Sequence, residues 1–401
     1  MALTAIIARE LGGKRFAQAL AAIAVLAAPG ILGGDNLLSK NAFEPLFFWM
    51  GCAYVVIRII KTGNQKLWIW FGLLAGLGLE NKYSMLIFGG GIVVGLILTP
   101  QRKSLASPWI WIAGAIAFLI FLPNLVWNIQ HHFPFLELQQ NIRRSGRDVP
   151  LGAVAFFAQE ILTMHPLALP VWLAGLWFYF FSSEGKLFRT LGWAWLCTAA
   201  VIVLMSPRVY YLFPAFPLLF AAGSVVWESV RVLNRWRWLK VAYPALLAIT
   251  GAILAPIAIP VLSPEHYIQY TRTLHLEQPR LETHQLGPLP QIFADQFGWP
   301  EMAAAVARVY NGLPRDVRAE LLPVGTRQLF RRKRHRDGRP PGETGDSVLL
   351  RSQSSHRVPP ILYAFRTLRH LLLHRSQDSS GGALAEVKTL ELRSRHSVTQ
   401  C

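Results

Sequence analysis

Long apolar stretches separated by short polar segments set the rhythm of this chain. Nine recur before the pattern changes: Phe16–Gly34, Ala42–Ile60, Leu67–Leu79, Tyr83–Leu98, Pro108–Trp127, Leu151–Phe181, Leu187–Met205, Val209–Trp227 and Leu239–Leu262. Most are near the length of about twenty residues that a helix needs to cross about 30 Å of hydrocarbon. The third and fourth are short and read as a helical hairpin whose tip is Glu80-Asn81-Lys82. The expected fold is therefore all-α, a polytopic membrane helical bundle of about nine membrane helices occupying residues 1–262. Residues 263–320 are mixed and partly Pro-rich, with a helical pattern over Trp299–Tyr310 in which Pro300 suits the first turn. They are expected to begin a small, short extracytoplasmic carboxyl-terminal region.

Composition agrees with a membrane protein. Of 401 residues, 53% are hydrophobic and 15% charged, whereas soluble domains carry about 25% charged residues. Cys52, Cys197 and Cys401 are too few and too scattered for a disulfide framework or a metal site of the Cys-x-x-Cys kind. The formal net charge of +18 is uneven, since residues 321–401 hold 15 Lys and Arg against 6 Asp and Glu. That tail has 13 Arg to 2 Lys, 9 Ser and little hydrophobic periodicity, so disorder is expected there.

Charge also orients the nine crossings. With a cytoplasmic amino terminus, the inner segments carry 14 Lys and Arg and the outer segments 6, the bias that the positive-inside rule requires. The carboxyl terminus is then extracytoplasmic, and the basic run Arg331–Arg336 meets no nucleic acid there, although such runs ordinarily point to nucleic acid or anionic lipid. Three of the six outer cations, Arg143, Arg144 and Arg147, share one loop. Arginines kept on the disfavoured side suggest a task, and Arg suits bidentate phosphate or carboxylate binding.

In the 31 residues from Trp68 to Leu98, the only ionisable side chains besides Tyr83 are Glu80 and Lys82. An acid and a base within an apolar run face a protein interior, a cavity or a membrane edge, while a surface turn with Lys82 reaching to water explains them equally well. The same outer edge gathers Asp35, Asn36, Lys40, Asn41 and Glu44, then Gln159, Glu160 and His165, and finally Arg208, Tyr210 and Tyr211. Together they could hold an amphiphile with a phosphate head group and its tail in lipid. Dinucleotide, nucleoside triphosphate and ordinary zinc chemistry have no motif here. No cofactor is identified, and a divalent metal has no motif to support it. Gly89-Gly90-Gly91 reads as helix packing.

Ala8-Arg-Glu-Leu-Gly-Gly13, Lys40-Asn-Ala-Phe-Glu-Pro-Leu-Phe47, Gly76-Leu-Gly-Leu-Glu-Asn-Lys-Tyr83, Phe121-Leu-Pro-Asn-Leu-Val-Trp-Asn128 and Pro207-Arg-Val-Tyr-Tyr-Leu-Phe-Pro214 resemble, in order and spacing, bacterial members of glycosyltransferase family 39. These are similar to the protein O-mannosyltransferases and lipid A aminoarabinose transferases of the GT-C type. The resemblance implies an enzyme of the bacterial inner membrane that takes a sugar from a polyprenyl-phosphate carrier and transfers it on the outer face to a lipid, glycan or protein acceptor. It implies cationic contacts to the donor phosphate, for which Lys82, Arg143, Arg144 and Arg208 are the candidates, with Asp35, Asn41, Glu44, Glu80 and Tyr210 as further outer-face polar residues. In the family the acidic catalytic residue lies in the first outer loop. Met1–Glu10 resembles the cytoplasmic end of the second helix, so that loop is expected to be missing and the catalytic residue is unassigned.

Two other classes stay open on the residues themselves. A non-catalytic remnant that binds the lipid carrier would show the same cations, and a transporter or flippase would also place charge in the membrane, although no internal repeat is found. After Leu313 the resemblance fades, and the Arg-rich tail has the composition of a sequence read out of frame. Resequencing the gene near the codon for Glu320 tests this: an alternative frame with a globular continuation is expected, and one with only stop codons would count against it.

Overall fold

A computed structural model of the protein describes residues 1–37, 40–146, 151–205, 208–229, 235–276 and 287–312. Residues 321–401 and Arg147 lie outside the described residues. Of the side chains of residues 35–37 and 40–44, which include Asp35, Asn41 and Glu44, only the helical backbone is described.

Among the described residues all regular structure is helical, with no strand. The order is α1 (Ala2–Glu10), α2 (Arg15–Ala27), α3 (Pro29–Leu37), α4 (Lys40–Thr62), α5 (Trp68–Asn81), α6 (Met85–Ile97), α7 (Pro108–Gln130), α8 (Pro134–Ser145), α9 (Ala153–Thr163), α10 (Leu169–Phe181), α11 (Arg189–Met205), α12 (Phe216–Ser229), α13 (Leu239–Ala258), α14 (Pro264–Thr273), α15 (Gln291–Ala294) and α16 (Trp299–Gly312). Two compact units are distinguished, one of residues 1–132 and 148–282, the other of residues 133–147 and 283–401.

The first unit holds the apolar helices. Five stretches are long and apolar enough to cross a membrane, Pro45–Thr62, Pro108–Gln130, Gly185–Met205, Val209–Ser229 and Leu239–Ala258, and counting each of two bent helix pairs as one span brings the number to seven. The chain is an integral membrane protein. Its outward faces are apolar, as at Trp111, Leu119, Leu204 and Val241, which is how a helix meets lipid. The expected nine crossings counted Phe16–Gly34 and Leu67–Leu79 as well. The first is two helices, α2 and α3, and the second is α5, of 14 residues. At 1.5 Å per residue, a helix of about fourteen residues covers about 20 Å, short of the hydrocarbon thickness.

The expected hairpin of α5 and α6 does not close on itself. α5 packs chiefly against α7, and α6 against α11. Small residues allow both approaches. A Cβ on Gly72 would come 2.5 Å from the Ala113 carbonyl oxygen, and one on Gly91 would come 2.7 Å from that of Ala194. Of the glycine triplet, then, Gly91 packs, while a Cβ on Gly89 or Gly90 meets nothing within 4 Å. α10 and α12 pack as closely, and a Cβ on Gly223 would strike the carbonyl oxygen of Val171. Without a hydrophobic force between helices in lipid, such backbone proximity is what holds them together.

One end of this unit is tied by charge. Lys61 Nζ donates to Glu10 Oε2 at 2.8 Å and to its backbone carbonyl at 2.9 Å, while Arg58 Nη1 reaches Glu10 Oε1 at 3.5 Å. The hydrogen bond from Lys61, followed by the Lys61, Arg58 and Arg9 charges, holds the Glu10 carboxyl below the usual carboxylate range against the opposing effect of burial. Nearby, the Lys14 backbone N–H donates to Glu228 Oε2 at 2.6 Å. Glu10, Arg58, Lys61, Lys14 and Glu228 all come from segments that the charge count places on the cytoplasmic side.

In the second unit, α8 starts after Phe133, whose φ is 53°, and stops at Gly146 in the left-handed region. Trp299 Nε1 donates to the Asp295 carbonyl at 2.7 Å at the start of α16.

The close α10–α12 crossing has a direct test. Gly223→Ala is expected to cost about 1–3 kcal/mol through overpacking and to lower the thermal midpoint in detergent, whereas Gly89→Ala leaves it unchanged.

Candidate functional site

The site begins where α5 stops. Lys82 leaves the helix with φ −156° and ψ 133°, its N–H still donating to the Gly78 carbonyl at 2.8 Å, and α6 resumes after Ser84. Glu80 and Lys82 are alternate residues across this break and turn to different neighbours.

Glu80 looks toward α7. Gly72 and Gly76 let α5 lie close enough to α7 for Glu80 Oε2 to accept from Asn124 Nδ2 at 3.3 Å. Asn124 Oδ1 accepts from the Tyr83 hydroxyl at 3.0 Å and from Asn128 Nδ2 at 2.7 Å, and Asn128 Nδ2 also lies 3.0 Å from the Tyr83 oxygen. Asn128 is 6% exposed. The Tyr83 ring packs edge-on to Phe121, with centroids 5.9 Å apart. In an apolar helix pair, four mutually satisfied polar groups fix one register, because any slide leaves buried polar atoms bare. Asn124 and Asn128 had no role assigned from sequence. The available signal was two asparagines four residues apart on an otherwise apolar helix, a spacing that puts both on one face.

Lys82 looks the other way. Its Nζ lies 4.5 Å from the centroid of the Tyr211 ring and 5.4 Å from that of Tyr210. The two rings stack on each other at 4.6 Å with an interplanar angle of 21°. They stand on a single 3-10 turn, Val209–Tyr211, anchored by buried Val209, Leu212 and Phe213. No hydrogen bond or ion pair is made by the Lys82 ammonium among the described residues. Cation–π attraction is worth about 0.5–2 kcal/mol and uses none of the three N–H donors. Burial pulls the Lys82 pKa down to about 8. An ammonium so placed is a ready receptor for an anion, which would both pair it and restore its charge.

Arg208 precedes the tyrosines on the same turn and is half-buried; its carbonyl accepts from the Tyr211 N–H at 3.2 Å. Lys82 and Tyr210 are thus brought into contact, with the Arg208 backbone entering the same turn, and Glu80 faces α7 instead. Arg143 and Arg144 stand exposed in the last turn of α8, in the second unit. The Glu160 carboxylate, in the last turn of α9, is fully buried and has no hydrogen-bond partner among the described residues, and α9 packs against the tyrosine turn. Among the described residues no three His, Cys, Asp or Glu side chains converge in a metal-binding group.

Residues 1–127 match the model of the dolichyl-phosphate-mannose-protein mannosyltransferase family, so the likeness read from the sequence is borne out over that segment. A curated relative is the lipid A galacturonosyltransferase RgtD of Rhizobium johnstonii, 29% identical over 161 residues, which are 39% of this chain and 33% of that protein. The chain therefore spans a third of the length of the relative it matches. No solved structure matches it.

The polar lattice between α5 and α7 should matter for stability. Asn128→Ala removes the bonds that the buried Asn128 Nδ2 makes to Tyr83 and Asn124 and is expected to cost about 1–3 kcal/mol, read as a lower thermal midpoint, while Tyr83→Phe costs less because Asn128 still bonds Asn124.

Proposed function

From that family match we propose that this protein is a membrane glycosyltransferase of the GT-C kind, which takes a sugar from a polyprenyl-phosphate-linked donor and passes it to a lipid, glycan or protein acceptor on the outer face of the membrane. The observation that carries the reading is the Lys82 ammonium, seated on the Tyr210 and Tyr211 rings with its N–H donors unused. In transfer, a bond forms between the acceptor oxygen or nitrogen and the anomeric carbon. The bond from that carbon to the phosphate oxygen breaks, and polyprenyl phosphate leaves with the electron pair. A cation held beside the phosphate stabilises the charge that develops on it. Lys82 takes this role, and Arg208 on the neighbouring turn can add to it. Arg143 and Arg144 are proposed as anion ligands on charge and loop placement alone. The acceptor's proton needs a carboxylate base, to which no residue of this chain is assigned.

The same reading sets the topology. In the proposed topology α2 with α3, and the short α5 with local bilayer thinning, are crossings beside the seven spans and complete nine, with the amino terminus cytoplasmic and residues 263–320 and the tail outside. The gathering of Glu10, Arg58 and Lys61 at one end supports that sidedness. The bacterial inner membrane is the proposed location. A carrier-binding protein without transfer would use the same lysine, and a transfer assay separates the two.

Lys82→Ala is expected to weaken binding of undecaprenyl phosphate by about tenfold or more, the worth of a charge-assisted hydrogen bond, and to reduce transfer from a labelled carrier-linked sugar with membrane insertion intact. Only the protonated amine pairs with phosphate, and the free amine titrates near about 8. Affinity should therefore hold below that pH and fall as pH rises through and above it, and Lys82→Arg should remove the fall. Undiminished binding in Lys82→Ala would sink the assignment.

A further inference from the structure

The chain bends by 99° between α9 and the segment Pro166–Phe181. At this bend lie two polar side chains that the phosphate site does not use. Glu160, in the last turn of α9, is 0% exposed, and neither of its carboxylate oxygens has a hydrogen-bond partner among the described residues. His165, at the bend itself, is 1% exposed and holds φ 75° and ψ 116°, a conformation that non-glycine residues rarely adopt. Its Nδ1 accepts the Leu167 backbone N–H at 3.2 Å. Nδ1 therefore carries the lone pair, the neutral ring is protonated at Nε2, and that N–H donor is also without a partner among the described residues.

What is left unmade is specific: two acceptor oxygens and one donor N–H. A buried carboxylate with no hydrogen bond is strongly unfavourable, and an apolar residue at position 160 would suit a membrane helix better. The two side chains share the end of α9 next to the 3-10 turn Pro166–Ala168, and α9 packs on the turn that carries Tyr210 and Tyr211 beneath Lys82. A sugar hydroxyl supplies both missing halves, since it donates to a carboxylate oxygen and accepts from an imidazole N–H. A ring bearing its own carboxylate would have to bury that charge against Glu160 and the neutral His165, neither of which is a cation.

We propose that Glu160 and His165 form the subsite for the sugar of the lipid-linked donor, binding the hydroxyls of a neutral hexose and rejecting a hexuronic acid. The assignment rests on the carrier reading of Lys82 and extends it from the phosphate to the sugar. Glu160 and His165 are binding residues in it; they exchange no proton with the acceptor.

The test compares three probes on the full chain in lipid nanodiscs: undecaprenyl phosphate, the same carrier bearing mannose, and the same carrier bearing galacturonic acid. Wild type is expected to bind the mannosyl carrier about tenfold more tightly than the galacturonosyl carrier. Glu160→Gln should reduce affinity for the mannosyl carrier by about tenfold, leave bare undecaprenyl phosphate unchanged, and keep or raise the thermal midpoint. His165→Asn, which retains an acceptor for the Leu167 N–H but lacks the Nε2 donor, should give the same selective loss and serves if the first variant does not fold. Equal affinity of wild type for the two sugar-bearing carriers, or variants that retain the preference, would overturn the subsite while leaving the phosphate reading intact. So would a variant that loses bare carrier in parallel with a lower thermal midpoint, since that is the mark of a structural role. Wild type that binds none of the three, bare carrier included, would overturn the carrier reading and this one with it.

Discussion

Hydrocarbon offers an ionised side chain nothing to bond with, so each charge drawn into a helical membrane bundle must be paired, screened by an aromatic face or left for a ligand. Three residues of this protein take the three courses. Glu10 is paired with Lys61 and Arg58. Lys82 rests on two tyrosine rings. The Glu160 carboxyl has no hydrogen-bond partner among the described residues. The first arrangement is complete in itself and ties α1 to α4. Lys82 lies on the turn Val209–Tyr211, and α9, which carries Glu160, packs against that turn.

What brings them there is close helix packing. Gly72 and Gly76 set α5 on α7, which fixes the point at which α5 ends, and the Glu80, Tyr83, Asn124 and Asn128 lattice locks the register. Buried Val209, Leu212 and Phe213 fix the tyrosine turn from its other side. The cation and its aromatic seat are thus each held by packing independent of the other. That is the arrangement a binding site needs if it is to be ready before its ligand arrives.

The family likeness over residues 1–127 covers Glu80 and Lys82 but neither Arg208, Tyr210 nor Glu160. Within that segment, a phosphate-bearing lipid is the ligand that the likeness suggests and that Lys82 suits. Beyond it, the tyrosine turn and the α9 bend belong to the same compact unit as Lys82. Arg143 and Arg144, equally plausible from charge, fall in the second unit.

Helical character and membrane residence were legible in the sequence, because apolar run length acts locally along the chain. The sequence also marked Glu80 and Lys82 as out of place in an apolar run, although it treated them as one feature. Only the tertiary structure separated them, sending Glu80 to Asn124 and Lys82 to Tyr210 and Tyr211. It likewise divided the supposed hairpin between α7 and α11, and left Glu160 without the partner that an outer-edge position would have provided. Such outcomes depend on residues far apart in sequence, as Lys82 and Tyr211 are. Periodicity shows which face of a helix is apolar, but not which helix will lie against it, and that choice decides which charges are satisfied and which remain to bind.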